Sequence, residues 1–202
     1  MNELSVNLRV DPSCDRPSEA TFDAERQLMQ RVASGDNVAM EELVGLYGEP
    51  VARLVGRLLA WHADCDDVFQ EVLLAAWRNA DKYNGSGTLE GWLKRIAINR
   101  CRNHHRALSA WRRKLEQLVL RLGDSSESTG SVYSQTPGGE SELGQALASL
   151  SPDDRTAIVM FHLEGYRGDE VARELNITTA TLHVRLHRIR KRLKQQMNLS
   201  NE

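Results

Sequence analysis

The chain is poor in the residue types that mark several protein classes. Aromatic residues make up 5% of its 202 positions, there are three cysteines, and 26 Lys and Arg nearly balance 28 Asp and Glu. An odd and widely spaced set of cysteines argues against a disulfide framework. No apolar run approaches the roughly 20 residues that cross a bilayer, and no signal-peptide pattern opens the sequence. We therefore expect a cytoplasmic protein without membrane insertion.

The sequence also lacks the motifs of common enzyme chemistry. It contains no Gly-rich phosphate loop, no Ser/His/Asp arrangement and no carboxylate pair in an apolar setting. Metal ligands are conceivable in Cys101, His104 and His105, with His62 and Cys65 to complete the set. Structural zinc sites, however, pair their ligands across a turn, and three of these residues fall within an apparently continuous helix. We expect no catalytic activity, no metal and no cofactor; stoichiometric metal in the purified protein would instead indicate a metal-dependent hydrolase.

The richest signal is a cationic segment near the C-terminus. No Asp or Glu occurs between Leu175 and Lys194, whereas six Lys or Arg residues fall between positions 185 and 194. The apolar residues of this segment recur at spacings of four, three and four, which makes one stripe on a helix: Leu182, Leu186, Ile189 and Leu193. A short acidic-apolar helix precedes it, with Asn176 at the turn and Thr178 or Thr179 as the helix cap. The pattern predicts a DNA-binding helix-turn-helix, with a solvated basic helix as the alternative.

A shift in composition predicts the domain organisation. Residues 123–140 are rich in Gly, Ser and Thr, carry acidic side chains and contain no Lys or Arg. Such a segment cannot bury enough apolar surface to fold alone. We therefore predict an all-α chain with a flexible tail at 1–20, a helical domain at 21–122, a linker at 123–140 and a helix-turn-helix domain at 141–197.

Within the first domain, two helices flank a polar loop. The earlier helix, which opens at Asp64, has a mixed acidic and apolar outer surface. The later one is strongly basic, with Asn99 and Asn103 between its cations. Amides among cations suit contact with phosphates and base edges together, and Tyr83 in the loop would give an unpaired base a stacking platform.

The order of these segments resembles that of an extracytoplasmic-function sigma factor, a bacterial initiation factor for RNA polymerase. The matching stretches are AMEELVGLYGEPVARLVGRLL, DCDDVFQEVLLAAWRNADKY, GWLKRIAINRCRNHHR and LASLSPDDRTAIVMFHLEGYRGDEVARELNITTATLHVRLHRIRKRLK. The resemblance implies sigma regions 2 and 4 joined by a linker. It also implies binding to core RNA polymerase and to promoter DNA, melting of the minus-ten region, and control by an anti-sigma factor.

Residue roles follow from the same resemblance. The implied polymerase contacts are Asp67, Gln70, Glu71 and Leu74. The implied minus-ten contacts are Asn79, Lys82, Tyr83, Asn84, Trp92, Arg95, Asn99, Arg100 and Asn103. The implied minus-thirty-five contacts are Thr178, Thr179, Thr181, His183, Arg185, Arg188 and Lys191. A free-standing helix-turn-helix regulator is the competing interpretation, and it would bind duplex DNA tightly without polymerase.

Residues 108–122 lie outside the family pattern and are predicted as an additional amphipathic helix. Its apolar stripe would comprise Leu108, Trp111, Leu115, Leu118, Val119 and Leu122. This stripe must pack against something. Either it folds back on the first domain, or it docks the two domains together or receives an anti-sigma protein.

Overall fold

A computed structural model describes residues 19–122 and 142–199. All regular secondary structure in these two ranges is helical. The helices are α1 Glu19–Ala33, α2 Asn37–Leu59, α3 Cys65–Arg78, α4 Leu89–Leu122, α5 Glu142–Ala148, α6 Pro152–Ile158, α7 Gly168–Leu175 and α8 Thr179–Leu199. A 3-10 turn spans Ala80–Lys82, and a π-helical turn spans Val159–Leu163. The predicted all-α fold class is confirmed. The predicted linker and nearly all of the predicted tail lie outside the described residues, although Glu19 and Ala20 already belong to α1.

The chain divides into two compact units, with the boundary after Gln145. In the N-terminal unit α2, α3 and α4 pack against one another, and α1 packs on α2 and on the 3-10 turn. Their contacts bury a continuous apolar core that includes Leu43, Leu54, Leu58, Val72, Leu89 and Ile98. Because three long helices meet here, this unit can hold surface side chains in fixed positions.

Helix α4 differs from the prediction. It is one helix of 34 residues, so residues 108–122 continue it and do not form a separate element. The physical reason is visible in the sequence: neither Gly nor Pro occurs between Trp92 and Leu122 to end the helix.

The C-terminal unit is a helix-turn-helix built on α7 and α8. Leu182, Leu186 and Ile189 of α8 are buried, as the stripe predicts, together with Val171 and Leu175 of α7. Asn176 ends α7 in the left-handed conformation (φ 56, ψ 45), which confirms the predicted turn. The cap of α8 is Thr178, whose hydroxyl accepts the backbone N–H of Thr181 at 3.2 Å.

One buried charge belongs to this unit. The guanidinium of Arg155 in α6 donates to the carbonyl oxygens of Leu147, Ala148 and Leu150, at 2.8, 3.3 and 3.1 Å. The carbonyls of Leu147 and Ala148 lie in the last turn of α5, where helix carbonyls lack partners within the helix, and Leu150 lies two residues beyond its end. Arg155 therefore ties α5 to α6.

Candidate nucleic-acid and polymerase interfaces

An open groove of about 390 Å³ runs between α3 and α4. It is called the α3–α4 groove below, and its lining residues are Ala75, Asn79, Lys82, Trp92, Ile96, Asn99, Arg100 and Asn103. Most of the predicted minus-ten residues thus meet at one place, although they are spread over more than 20 positions of the chain. The groove combines amides, cations and one large aromatic ring, which are the groups that bind nucleobases and phosphates.

The wall formed by the end of α3 is held by its own hydrogen bonds. The Asn79 amide nitrogen donates to the Ala75 carbonyl oxygen at 2.7 Å, and Lys82 Nζ donates to Asn79 Oδ1 at 2.7 Å. Asn79 is the residue that ends α3, so this amide satisfies a helix-terminal carbonyl. Lys82 is thereby oriented before any ligand arrives.

The structure buries Tyr83, which the sequence interpretation placed as an exposed side chain of the loop. Tyr83 is 8% exposed, and its hydroxyl lies within hydrogen-bond distance of two acceptors, Glu25 Oε2 at 2.7 Å and the Gly87 carbonyl oxygen at 2.9 Å. Burial, followed by the hydrogen bond to Glu25, raises the pKa of the Tyr83 phenol. The ring packs edge to face on Trp92, with 5.7 Å between centroids. Tyr83 is therefore not exposed in this structure, and the aromatic ring that lines the groove is that of Trp92.

Glu25 in α1 was missed by the sequence interpretation. It is 7% exposed, and besides the Tyr83 hydroxyl its carboxylate accepts the backbone N–H of Leu89 at 3.0 Å and the Tyr47 hydroxyl at 3.2 Å. Burial and this carboxylate raise the pKa of Tyr47 to about 12. One buried carboxylate thus holds the loop and the first turn of α4. The available signal was an acid that falls on the apolar stripe of α1 with Leu28, Met29 and Val32.

Besides Tyr83, two predicted minus-ten residues do not line the groove. Asn84 is exposed in the loop, where its side-chain oxygen accepts the Ser86 N–H at 3.0 Å. Arg95 is exposed on α4.

Gly85 lies in the loop that also contains Asn84. It has φ +72, and a Cβ at this position would lie 2.8 Å from Arg26 Nε. The loop conformation therefore needs glycine at this position.

Helix α8 exposes most of the predicted minus-thirty-five residues. The exposed residues of this set are Thr178, Thr179, Thr181, His183, Arg188 and Lys191. Val184 and His187 are also exposed and were not named in the sequence interpretation. Helical periodicity alone would have predicted that both are exposed, because it places Val184 and His187 away from the apolar stripe.

Arg185 departs from the prediction that it is among the most exposed residues of α8. Its side chain is 27% exposed, and Nε lies 3.6 Å from Asp154 Oδ1 at the start of α6. Residue 185 follows the outward-facing residue 184 by 100° around the helix, which turns it toward α6. The ion pair holds Arg185 against its own domain.

The outer face of α3 presents the predicted polymerase contacts. Asp67, Gln70 and Glu71 are exposed, and Leu74 is 46% exposed. Trp77, one turn further along the same face, is 45% exposed and was not predicted. These five residues, called the α3 surface below, combine acidic and apolar groups on a rigid helix.

The second half of α4 exposes its apolar stripe. Residues 111–118 are all exposed, including Trp111 at 60% and Leu118 at 55%. The alternative in which this segment folds back on the N-terminal domain is therefore wrong. Leu108 is half-buried, and the side chains of Val119 and Leu122 lie outside the described part of the structure.

The three histidines weighed as metal ligands have other partners. His62 Nδ1 and His104 Nε2 each lie 3.1 Å from Asp64 Oδ2, and His105 Nε2 lies 3.3 Å from the Leu58 carbonyl oxygen. Cys101 is buried, which raises the pKa of its thiol. Within residues 19–122 and 142–199, no group of three His, Cys, Asp or Glu side chains is placed to hold a metal ion. The helices of these same ranges include none that is long and apolar enough to span a membrane.

Comparison with known proteins assigns the family. Residues 29–113 match sigma-70 region 2, and residues 140–193 match sigma-70 region 4. The ECF RNA polymerase sigma factor SigE of Mycolicibacterium smegmatis is 31% identical over 192 residues, which cover 93% of this chain and 70% of SigE. The ECF RNA polymerase sigma-E factor of Escherichia coli K12 is 30% identical over 175 residues, which cover 82% of this chain and 90% of that protein.

A solved structure agrees with the sequence relatives. CnrH, in complex with the cytosolic domain of CnrY, superposes with a TM-score of 0.55 at 25% identity, over 88% of this chain and 99% of CnrH. The sequence similarity is thus accompanied by similarity in helical structure over most of the chain. The chain belongs to the extracytoplasmic-function family of RNA polymerase sigma factors.

Proposed function

We propose that this chain acts in the cytoplasm as a promoter-specificity subunit and divides three tasks among three surfaces. The α3 surface binds core RNA polymerase, the α3–α4 groove holds the melted minus-ten element, and α8 docks on the minus-thirty-five duplex. The observation that carries the proposal is the groove, because residues from the end of α3, from the following loop and from α4, which the resemblance assigns to the minus-ten element, line one cavity there.

The groove has the size and chemistry for one unstacked base. A volume of about 390 Å³ lies within the range of small-molecule pockets, about 300–1,000 Å³. Trp92 would stack on the base, and the amides of Asn99 and Asn103 would reach its polar edge. Lys82 and Arg100 would neutralise the flanking phosphates. Opening a duplex costs about 1.4 kcal/mol per base-pair step, and stacking on an aromatic side chain returns about 1–3 kcal/mol per base.

Helix α8 suits an intact duplex. No acidic residue occurs between Thr179 and Leu199, and its exposed cations extend along the helix as Arg188, Arg190, Lys191, Arg192 and Lys194. The N-terminal turns of a recognition helix usually reach base edges, while later cations contact phosphates. Thr179 and Thr181 would therefore lie near bases, and Arg192 near the backbone.

The exposed stripe of α4 is a surface for a regulatory protein. The CnrH structure contains a bound partner, the cytosolic domain of CnrY. By analogy, an anti-sigma factor would bind this chain, and Trp111, Leu115 and Leu118 would contribute to the contact. Docking of the two sigma domains through the same stripe is the competing possibility.

Binding to core polymerase and run-off transcription test the proposal. The full chain should bind bacterial core polymerase and start transcripts at specific genomic promoters, whereas a free-standing regulator would bind its operators tightly without core.

Replacing Gln70 and Glu71 by Ala tests the α3 surface. We expect core binding to weaken about tenfold, which corresponds to about 1.4 kcal/mol. Thermal unfolding should not change, because both side chains are exposed. Glu41→Ala, at an exposed site of α2, is the matched control. Unchanged core affinity of the double variant would refute the assignment of the α3 surface.

A further inference from the structure

Helix α8 carries an apolar side chain at the centre of its outward face. Val184 is 56% exposed, while Leu182, Leu186 and Ile189 are 0%, 1% and 2% exposed. Two positions, about 200° of helical rotation, separate Val184 from Leu182 and from Leu186. Val184 therefore points directly away from the core of the C-terminal unit.

The neighbours of Val184 on this face are polar or small. Ala180 and Thr181 precede it by about one turn, and His187 and Arg188 follow it by about one turn; all four are exposed. The adjacent cation, Arg185, is drawn aside by Asp154 at 3.6 Å. The row of residues that runs along the helix opposite its buried stripe thus consists of Ala180, Val184, Arg188 and Lys191.

A single exposed valine is ordinary on a protein surface, so exposure alone assigns no role. The position of Val184 is what matters. A helix that enters the major groove brings the residues opposite its buried stripe nearest to the base edges. The 5-methyl group of thymine is the apolar feature that the major-groove edges of the four bases present, and small apolar side chains are its usual contacts.

We propose that Val184 reads a thymine of the minus-thirty-five element through the 5-methyl group of that base. The inference rests on the proposed docking of α8 in the major groove. Val184 would select by apolar contact, and Arg188, one turn later, would select a neighbouring base pair by hydrogen bonding. A β-branched residue suits this task because its χ1 is restricted in a helix and its two methyl groups are held in place.

Thymine and deoxyuridine differ only by the methyl group in question, so their exchange gives a direct test. The full chain in complex with core polymerase is titrated with duplexes that carry a promoter selected by run-off transcription. Each thymine of the minus-thirty-five element is replaced in turn by deoxyuridine. We expect one position at which the wild-type complex binds about fourfold more weakly, the change that loss of one buried methyl group produces.

The variants then assign the effect to the residue. Val184→Ala should bind the thymine duplex more weakly and no longer distinguish it from the deoxyuridine duplex, whereas Val184→Ile should keep the preference. Arg192→Ala, at an exposed position of the same helix, should lower affinity for both duplexes by the same factor. Val184 is exposed, so these changes should leave the unfolding of the protein unaltered.

The outcomes separate this inference from the proposed function. If the holoenzyme binds the promoter but no thymine responds, or if Val184→Ala keeps the wild-type preference, the assignment to Val184 is wrong while the sigma function stands. If the complex with core binds no promoter at all, both fail together.

Discussion

The two units offer DNA surfaces of different kinds. In the N-terminal unit, hydrogen bonds hold the residues of the groove in place. Lys82 donates to Asn79, and Asn79 donates to a carbonyl at the end of α3. Trp92 packs on Tyr83, whose hydroxyl donates to the buried Glu25. In the C-terminal unit the outward face of α8 is exposed from Thr179 to Arg192, apart from the buried stripe and Arg185. One surface is a fixed recess and the other a convex helix.

This difference fits the two forms of DNA. A flipped base must be bound strongly enough to offset its lost stacking, and a recess whose walls are already ordered loses little entropy when it binds. A major groove is wide enough to admit a whole helix, so the helix needs only the right side chains on its outer face. The predictions below address these two modes in turn, from the largest expected effect to the smallest.

The first prediction removes the buried support of the recess. Replacing Glu25 by Leu removes the acceptor of the Leu89 N–H and of the Tyr47 hydroxyl, and leaves the Tyr83 hydroxyl only the Gly87 carbonyl oxygen at 2.9 Å. We expect a loss of about 2–4 kcal/mol in the free energy of unfolding. All four tryptophans lie in the N-terminal unit, so denaturant unfolding followed by tryptophan fluorescence reports on this unit. Glu25→Gln, which keeps one carbonyl oxygen, should lose clearly less. Equal stability of the Leu variant and the wild type would show that the recess does not depend on Glu25.

The second prediction separates the roles of Trp92 and Tyr83, the two aromatic residues that pack edge to face beside the groove. Trp92→Ala should weaken open-complex formation by about 1–3 kcal/mol, the contribution of one base stacked on an aromatic ring, while initial binding to the closed promoter changes little. Tyr83→Phe keeps the ring and loses only the internal hydrogen bond, so it should have no such selective effect. Normal open-complex formation in Trp92→Ala would refute the stacking role of Trp92, and a selective melting defect in Tyr83→Phe would show that melting depends on the Tyr83 hydroxyl.

The third prediction compares two arginines on α8. Arg188 is exposed, so Arg188→Ala should cost about 1–3 kcal/mol on the preferred promoter and relax discrimination at one or two base pairs. Arg185 is paired with Asp154, so Arg185→Ala should change base discrimination much less. Holoenzyme affinity for a set of minus-thirty-five variants measures both. The opposite ranking would mean that the ion pair with Asp154 breaks when DNA binds.

The smallest effect concerns acid stability of the C-terminal unit. Two causes lower the pKa of His162, in the π-helical turn, below its ordinary value of 6.5. Burial is the larger cause, and the charge of Arg190 is the smaller one. The unfolded chain then binds more protons than the folded one just below that value, so stability falls as the pH drops through about 6.5 and holds above it. Hydrogen exchange of the segment 152–199 at several pH values measures this. His162→Gln should flatten the dependence; an unchanged profile would rule out His162 as its source.

The sequence predicted the helices well where a local pattern was complete. The buried stripe of α8, the left-handed turn at Asn176 and the cap at Thr178 each depend on residues within a few positions of one another. Predictions that depended on distant partners were less accurate. Tyr83 looked like an exposed loop residue because its acceptor, Glu25, lies 58 positions earlier. Arg185 looked available because Asp154 belongs to another helix.

The sequence by itself determined the family, the helical fold class and the cationic face of α8, since periodicity, capping residues and charge are local properties of the chain. Only the tertiary structure decided which of the predicted DNA-contacting residues share one groove, which aromatic ring lines it and which arginine is held back by an ion pair. The physical reason is the same in each case. Burial and pairing are set by side chains far apart in sequence, and they meet only when the helices pack.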